Sequence, residues 1–118
     1  MPLEIHGRFH GNYSMQPFLV NGRYHWLHEN GLCAIWFLEL HKFWLIGSVK
    51  NLGAKKAPIY APIQFIDSLP HEVQCGKWKY YHEKKWHLAN SNDILIGKNV
   101  KGKLMHCIPM YVSGSKAL

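Results

Sequence analysis

Nine histidines, three cysteines and seven acidic residues are the side chains of this 118-residue chain that could do chemistry, and their spacing decides how much. His6, His10, His25 and His28 are the candidate metal ligands: neighbouring N-terminal strands would bring their imidazoles together into a nitrogen site. Residues two apart share a face of a strand, however, whereas His25 and His28 are three apart and His6 and His10 flank Gly7, where a bulge can intervene. No pair has the spacing of a zinc finger or of His-Glu-x-x-His. The expectation is therefore no bound metal and no cofactor, with the histidines tipping strands and bonding to backbone. Cys33, Cys75 and Cys107 cannot all pair within one molecule and are not spaced as a zinc knuckle or a redox pair, which predicts free thiols: Cys33 in the core, Cys75 exposed in a turn. Glu29, Glu39 and Glu83 fall in turns, and no carboxylate pair, thiol-hydrolase motif or glycine-rich phosphate loop is present. With no catalytic signature to name, the sequence leaves enzyme activity undecided and leans against it.

Aromatic and basic residues are the stronger signal. Trp26, Trp36, Trp44, Trp78 and Trp86 each lie in a short strand-forming run, and indoles at that density either fill a small β core or meet a flat ligand. From Lys77 to Leu88 the two classes interleave: Lys77, Lys79 and Tyr81 alternate with Trp78, Tyr80 and His82, and Lys84 and Lys85 sit at the tip before Trp86. Rings on a rigid sheet can stack on sugars or bases, and nearby lysines can meet sulfate, carboxylate or phosphate. In the competing reading Trp78 and Tyr80 face the core and the lysines face water, as half-buried strands do. A net charge of +7 attracts polyanions in general, although lysine also protects exposed strand edges.

The leading expectation is thus a non-catalytic, lectin-like carbohydrate-binding module. Its platform would be drawn from Trp26, Trp36, Trp44, Trp78, Tyr80, Tyr81 and Trp86, with Arg23, Lys79, Lys84 and Lys85 favouring an acidic polysaccharide. The alternatives are a single-stranded nucleic-acid-binding domain, marked by steep salt dependence, and a protein-interaction or scaffold repeat with every tryptophan buried.

The elements that must position these residues are short. Runs of Val, Ile, Phe, Tyr and Trp interrupted by Gly, Asn, Pro and Lys, with no helical stripe, predict an all-β chain. Strands are expected near Glu4 to Phe9, Asn12 to Val20, Arg23 to His28, Leu32 to Leu38, Lys42 to Val49, Ile59 to Ile66, Trp78 to His82, Lys85 to Leu88, Ile94 to Ile96 and Lys103 to Val112. Asn21-Gly22 and Asn30-Gly31 predict two type I′ hairpins. Pro58, Pro62 and Pro70 mark Lys50 to Pro70 as a crossing connection whose strand is an edge or extended loop. The architecture predicted is a single small antiparallel sandwich or partly open barrel of hairpin-linked strands over residues 1–112, with a frayed tail at 113–118.

The order Gly11-Asn12-Tyr13, Asn21-Gly22-Arg23-Tyr24, Ala34-Ile35-Trp36-Phe37, Trp44-Leu45-Ile46-Gly47, Ile59-Tyr60 and Trp78-Lys79-Tyr80-Tyr81 followed by Trp86 resembles a small tryptophan-rich β module. That module occurs singly and in tandem in large animal and protist proteins, often extracellular, around an Asn-Gly-Arg, aromatic, Trp-x-Ile-Gly pattern. The resemblance covers Gly11 to Ile96 and implies a compact β fold, with no activity and no residue role attached. The longest apolar runs are too short to span a bilayer, so no membrane insertion is expected. The opening residues lack the parts of a signal peptide. The chain as written reads as cytoplasmic, or as secreted if a leader has been removed from it.

Overall fold

Asn21 and Gly22 set the register of the first hairpin. In the computed structural model, which describes residues 7–63, 68–70, 73, 77–89, 95–98 and 109–113, they take φ values of 55° and 81°. These are the two positive angles of a type I′ turn. The turn joins β1 (Gly11–Val20) to β2 (Arg23–His28) and sets Val20 opposite Arg23. The Asn21 amide donates to the carbonyls of Phe37 at 2.9 Å and Gly53 at 3.0 Å, tying the turn to later parts of the chain.

The second Asn-Gly pair works differently from the expected I′ turn. Gly31 has a positive φ of 75° and Asn30 does not. The Asn30 side chain instead accepts the Leu32 N–H at 2.8 Å, and the Asn30 N–H is held by His28 Nδ1 at 3.0 Å, giving an Asx-type loop over residues 29–32.

The chain continues through β3 (Cys33–Leu38), β4 (Phe43–Ser48), β5 (Ile59–Pro62), β6 (Lys79–His82), β7 (Lys85–Leu88), β8 (Leu95–Lys98) and β9 (Pro109–Ser113). These strands form one open sheet in the order β7-β6-β5-β4-β3-β2-β1-β9-β8. β1 to β7 are an antiparallel meander, and β9 lies parallel to both β1 and β8. The fold is the small all-β one expected, built among the described residues as a single open sheet.

Three local expectations need correction. Residues 7–9 are helical and not the end of a strand; the turn buries Phe9, whose carbonyl accepts the Tyr13 hydroxyl at 2.6 Å. β5 is a central strand between β4 and β6. Its prolines do no harm because Pro62 ends the strand and Pro58 precedes it, where the Pro58 carbonyl accepts the Tyr81 N–H at 2.8 Å. Ser113, assigned to the tail, is the last residue of β9, while residues 114–118 and most of the strand expected from Lys103 lie outside the described residues.

Both faces of the central strands are covered. Trp26, Ile35, Phe37, Trp44, Ile46 and Ile59 pack on one face, and Ala34, Trp36 and Leu45 on the other. Period-2 geometry sends alternate residues to opposite sides, so two covered faces turn Ala34-Ile35-Trp36-Phe37 into an unbroken apolar run. The second face is roofed by the segment 49–58, with Leu52 and Ala57 against the sheet. Trp36 pins that roof by donating its indole N–H to the Ala54 carbonyl at 3.0 Å. Gly47 lets it come close: a Cβ there would lie 3.0 Å from Ala57 Cβ and 3.1 Å from the Trp36 ring. No helix among the described residues is long and apolar enough to cross a membrane.

Candidate functional site

Among the described candidate ligands, His25 and His28 hold separate structural positions. His28 accepts the Asn30 N–H on Nδ1, so its Nε2 carries the proton and donates to the His10 carbonyl at 2.7 Å. Both nitrogens are committed, and the ring edge packs on Tyr13 with centroids 4.8 Å apart. His25 is buried against Phe18, 4.9 Å between centroids, and its Nδ1 has no hydrogen-bond partner. His6 lies outside the described residues. Among the described residues, no group of three or more His, Cys, Asp or Glu side chains could hold a metal ion.

Burial pushes the His25 pKa below the ordinary imidazole value of 6.5, against a backbone hydrogen bond at Phe18 that raises it. The folded protein thus refuses a proton that the unfolded chain accepts, and stability falls as pH drops below about 6.5, by at most about 1.4 kcal/mol per pH unit. His25→Phe should remove this contribution. In urea denaturation at pH 7.5 and pH 5, the variant is expected to lose less stability on acidification than the parent; equal losses would sink the assignment.

Four of the five candidate indoles are core. Trp26, Trp36, Trp44 and Trp78 are each no more than 1% exposed, because the sheet is covered on both sides where they stand. They cannot stack on a ligand. Arg23 is also elsewhere: its guanidinium sits 3.8 Å over the Phe37 ring on β2, with β3, β4 and β5 between it and β6. Tyr80 turns to the core side and stacks on His87 at 5.1 Å. Lys84 lies in the β6–β7 turn, and Lys85, opposite His82, falls on the face away from Trp86. Cys33 is buried with its Sγ 3.5 Å from the Arg8 carbonyl. Burial raises its thiol pKa, with the Arg8 charge pulling the other way, which is the setting of an inert cysteine. Cys75 and Cys107 lie outside the described residues.

What the strands do bring together is Tyr81 and Trp86. They are directly opposite across β6 and β7, with rings 5.2 Å apart at 64°, and are 44% and 46% exposed. Trp86 is braced edge-on by Tyr60 at 4.8 Å, and Lys79 reaches over the same Tyr60 ring at 5.9 Å. Facing the pair is the roof segment, and the space between is a cleft of about 510 Å³, within the range of ligand-binding sites. Ala57 and Pro58 give it an apolar floor, Ser48 and Asn51 neutral polar groups, and Arg8, Lys55 and Lys56 three cations. None of the described residues lining it is acidic.

Local structure fixes this cleft. The chain leaves β4 at Ser48, whose hydroxyl accepts the Lys50 N–H at 3.2 Å, and the segment is then held at Ala54 by Trp36 and at Pro58 by Tyr81. Lys55 and Lys56 are carried between those two anchors. Sequence reasoning found Tyr81, Trp86 and Lys79 from their alternation but missed Arg8, Ser48, Asn51, Lys55 and Lys56. The Lys55-Lys56 doublet registered there only as charge, and Arg8 gave no local signal.

The turn that presents Trp86 is strained. Glu83 and Lys84 hold φ values of 52° and 68°, the angles of a I′ turn without its usual Asn-Gly. Replacing both, Glu83→Asn with Lys84→Gly, is expected to stabilise the domain by about 1–2 kcal/mol, read as a higher urea midpoint; no gain would mean that this backbone costs nothing here. Comparison with models of protein families, with curated proteins and with solved structures finds no match for this chain.

Proposed function

We propose that this domain is a non-catalytic carbohydrate-binding module that holds an acidic saccharide in the cleft beside Trp86. The observation that carries the reading is the meeting of the one exposed indole of the five with Arg8, Lys55 and Lys56 in a cleft whose described lining residues include no carboxylate. An indole face complements the C–H face of a pyranose. Asn51 and Ser48 supply neutral donors and acceptors for ring hydroxyls, and the cations meet sulfate or carboxylate groups. Hydrolysis of a glycosidic bond commonly uses two carboxyl groups across it, and the described residues that line the cleft include none, which favours retention of a sugar over its cleavage.

Titration with a sulfated glycosaminoglycan oligosaccharide, followed by tryptophan fluorescence, tests this. The four buried indoles contribute a constant background, and the change should come from Trp86. Trp86→Ala is expected to weaken binding about tenfold or more, as loss of a central aromatic anchor does, while leaving the unfolding midpoint nearly unchanged. Absence of binding to any acidic saccharide would dispose of the proposal.

A further inference from the structure

We infer that the cleft is the middle of a longer groove, and that its ligand is a linear polyanionic glycan held along its length and not at a chain end; this rests on the saccharide reading above. Two further hollows adjoin the cleft, each through residues common to both. On one side a hollow of about 170 Å³ shares Trp86, Lys55 and Ala57 with it and is walled by Phe43 and Tyr60. On the other a hollow of about 430 Å³ shares Arg8 and Ser48 and runs on past Lys50 to Asn30 and Leu32. Trp86 therefore stands at one junction and Arg8 at the other.

Charge follows the same path. Lys55 and Lys56, then Arg8, then Lys50 succeed one another, and none of the described residues that line the three hollows is acidic. A single sugar would fill one hollow and leave the other cations unused, whereas a chain with an anion on successive units matches cations repeated along a groove. A single-stranded nucleic acid fits less well. It needs a succession of ring faces for successive bases, and here Tyr81 and Trp86 stand at 64° to each other while Trp86 is edge-on to Tyr60. The groove thus repeats charge and does not repeat stacking surfaces.

Lys50 separates this inference from the cleft itself. It lines the outer hollow and not the cleft, and its fold contact is through its backbone N–H to Ser48, so Lys50→Ala leaves that bond in place. Calorimetric titrations with size-defined sulfated glycosaminoglycan oligosaccharides, from disaccharide to octasaccharide, provide the test. Affinity is expected to rise about tenfold or more with length and then level off. Lys50→Ala should weaken the octasaccharide about threefold to fivefold, the scale of one exposed ion pair, lower its salt slope by about one, and leave the disaccharide unchanged. Equal affinity at all lengths, or no effect of Lys50→Ala on the octasaccharide, overturns the groove while sparing the cleft. Failure of every length to bind would instead remove the saccharide reading. A single-stranded oligonucleotide of matched charge should not displace the octasaccharide at equal concentration; displacement would overturn the choice of ligand.

Discussion

Trp44→Ala is expected to unfold the domain or reduce it to a state without fixed packing. The side chain is buried at the centre of the sheet, with its ring against Trp26 at 5.8 Å and Phe37 at 5.1 Å and its indole N–H on the Ser68 carbonyl at 2.9 Å. Deleting it opens a cavity and removes that bond, a loss of about 3–5 kcal/mol. A domain of this length has a total stability of roughly 5–15 kcal/mol. Trp44→Phe keeps a ring and should cost less. Near-ultraviolet circular dichroism and urea unfolding check this, with Trp86→Ala alongside: comparable losses at the two positions would contradict the division between core and exposed indoles.

Gly11→Ala should be nearly as damaging, for a reason unrelated to hydrophobic burial. Gly11 has φ of 136°, and a Cβ there would stand 2.5 Å from Nε2 of His28. His28 cannot step aside cheaply, because both its nitrogens are bonded and Tyr13 backs its ring. Backbone strain and overpacking each cost about 1–3 kcal/mol, so a loss of roughly 3 kcal/mol in urea unfolding is expected. Gly22→Ala is the control: its φ of 81° is also unfavourable, but an added Cβ meets nothing within 4 Å, and it should cost about 1 kcal/mol. Equal losses would show that the His28 contact does not matter.

The sequence was most legible where turn chemistry and alternation acted together. β2 and β7 begin and end where the pattern places them, because a two-residue turn fixes the residues on either side of it. Asn30-Gly31 misled because the dipeptide specifies a bend, while the His28 ring and the Asn30 side chain select which bend forms. The tryptophans illustrate a deeper limit. A run such as Ala34 to Phe37 signals burial on both faces, but nothing within it says what covers the second one, and here the cover is the proline-bearing segment 49–58. The cleft was half legible for the same reason. Tyr81 and Trp86 follow from strand periodicity, whereas Arg8, Lys55 and Lys56 reach them through chain folding that no local period encodes.

The parallel seat of β9 beside β1 has a consequence for how the chain folds. Each hairpin from β1 to β7 closes over a short stretch, so the meander can zip up through local contacts. β9 closes almost the whole chain onto its beginning, setting Met110 opposite Gly11, and such a distant pairing carries the largest closure entropy in the molecule. It is therefore expected to form last. Until it does, the Gly11–Ser14 stretch of β1 that pairs with β9 is a bare edge, a template on which another copy can pair. The interval between completing the meander and docking β9 is when this protein is most prone to aggregate, and slow release at high concentration should trap it there.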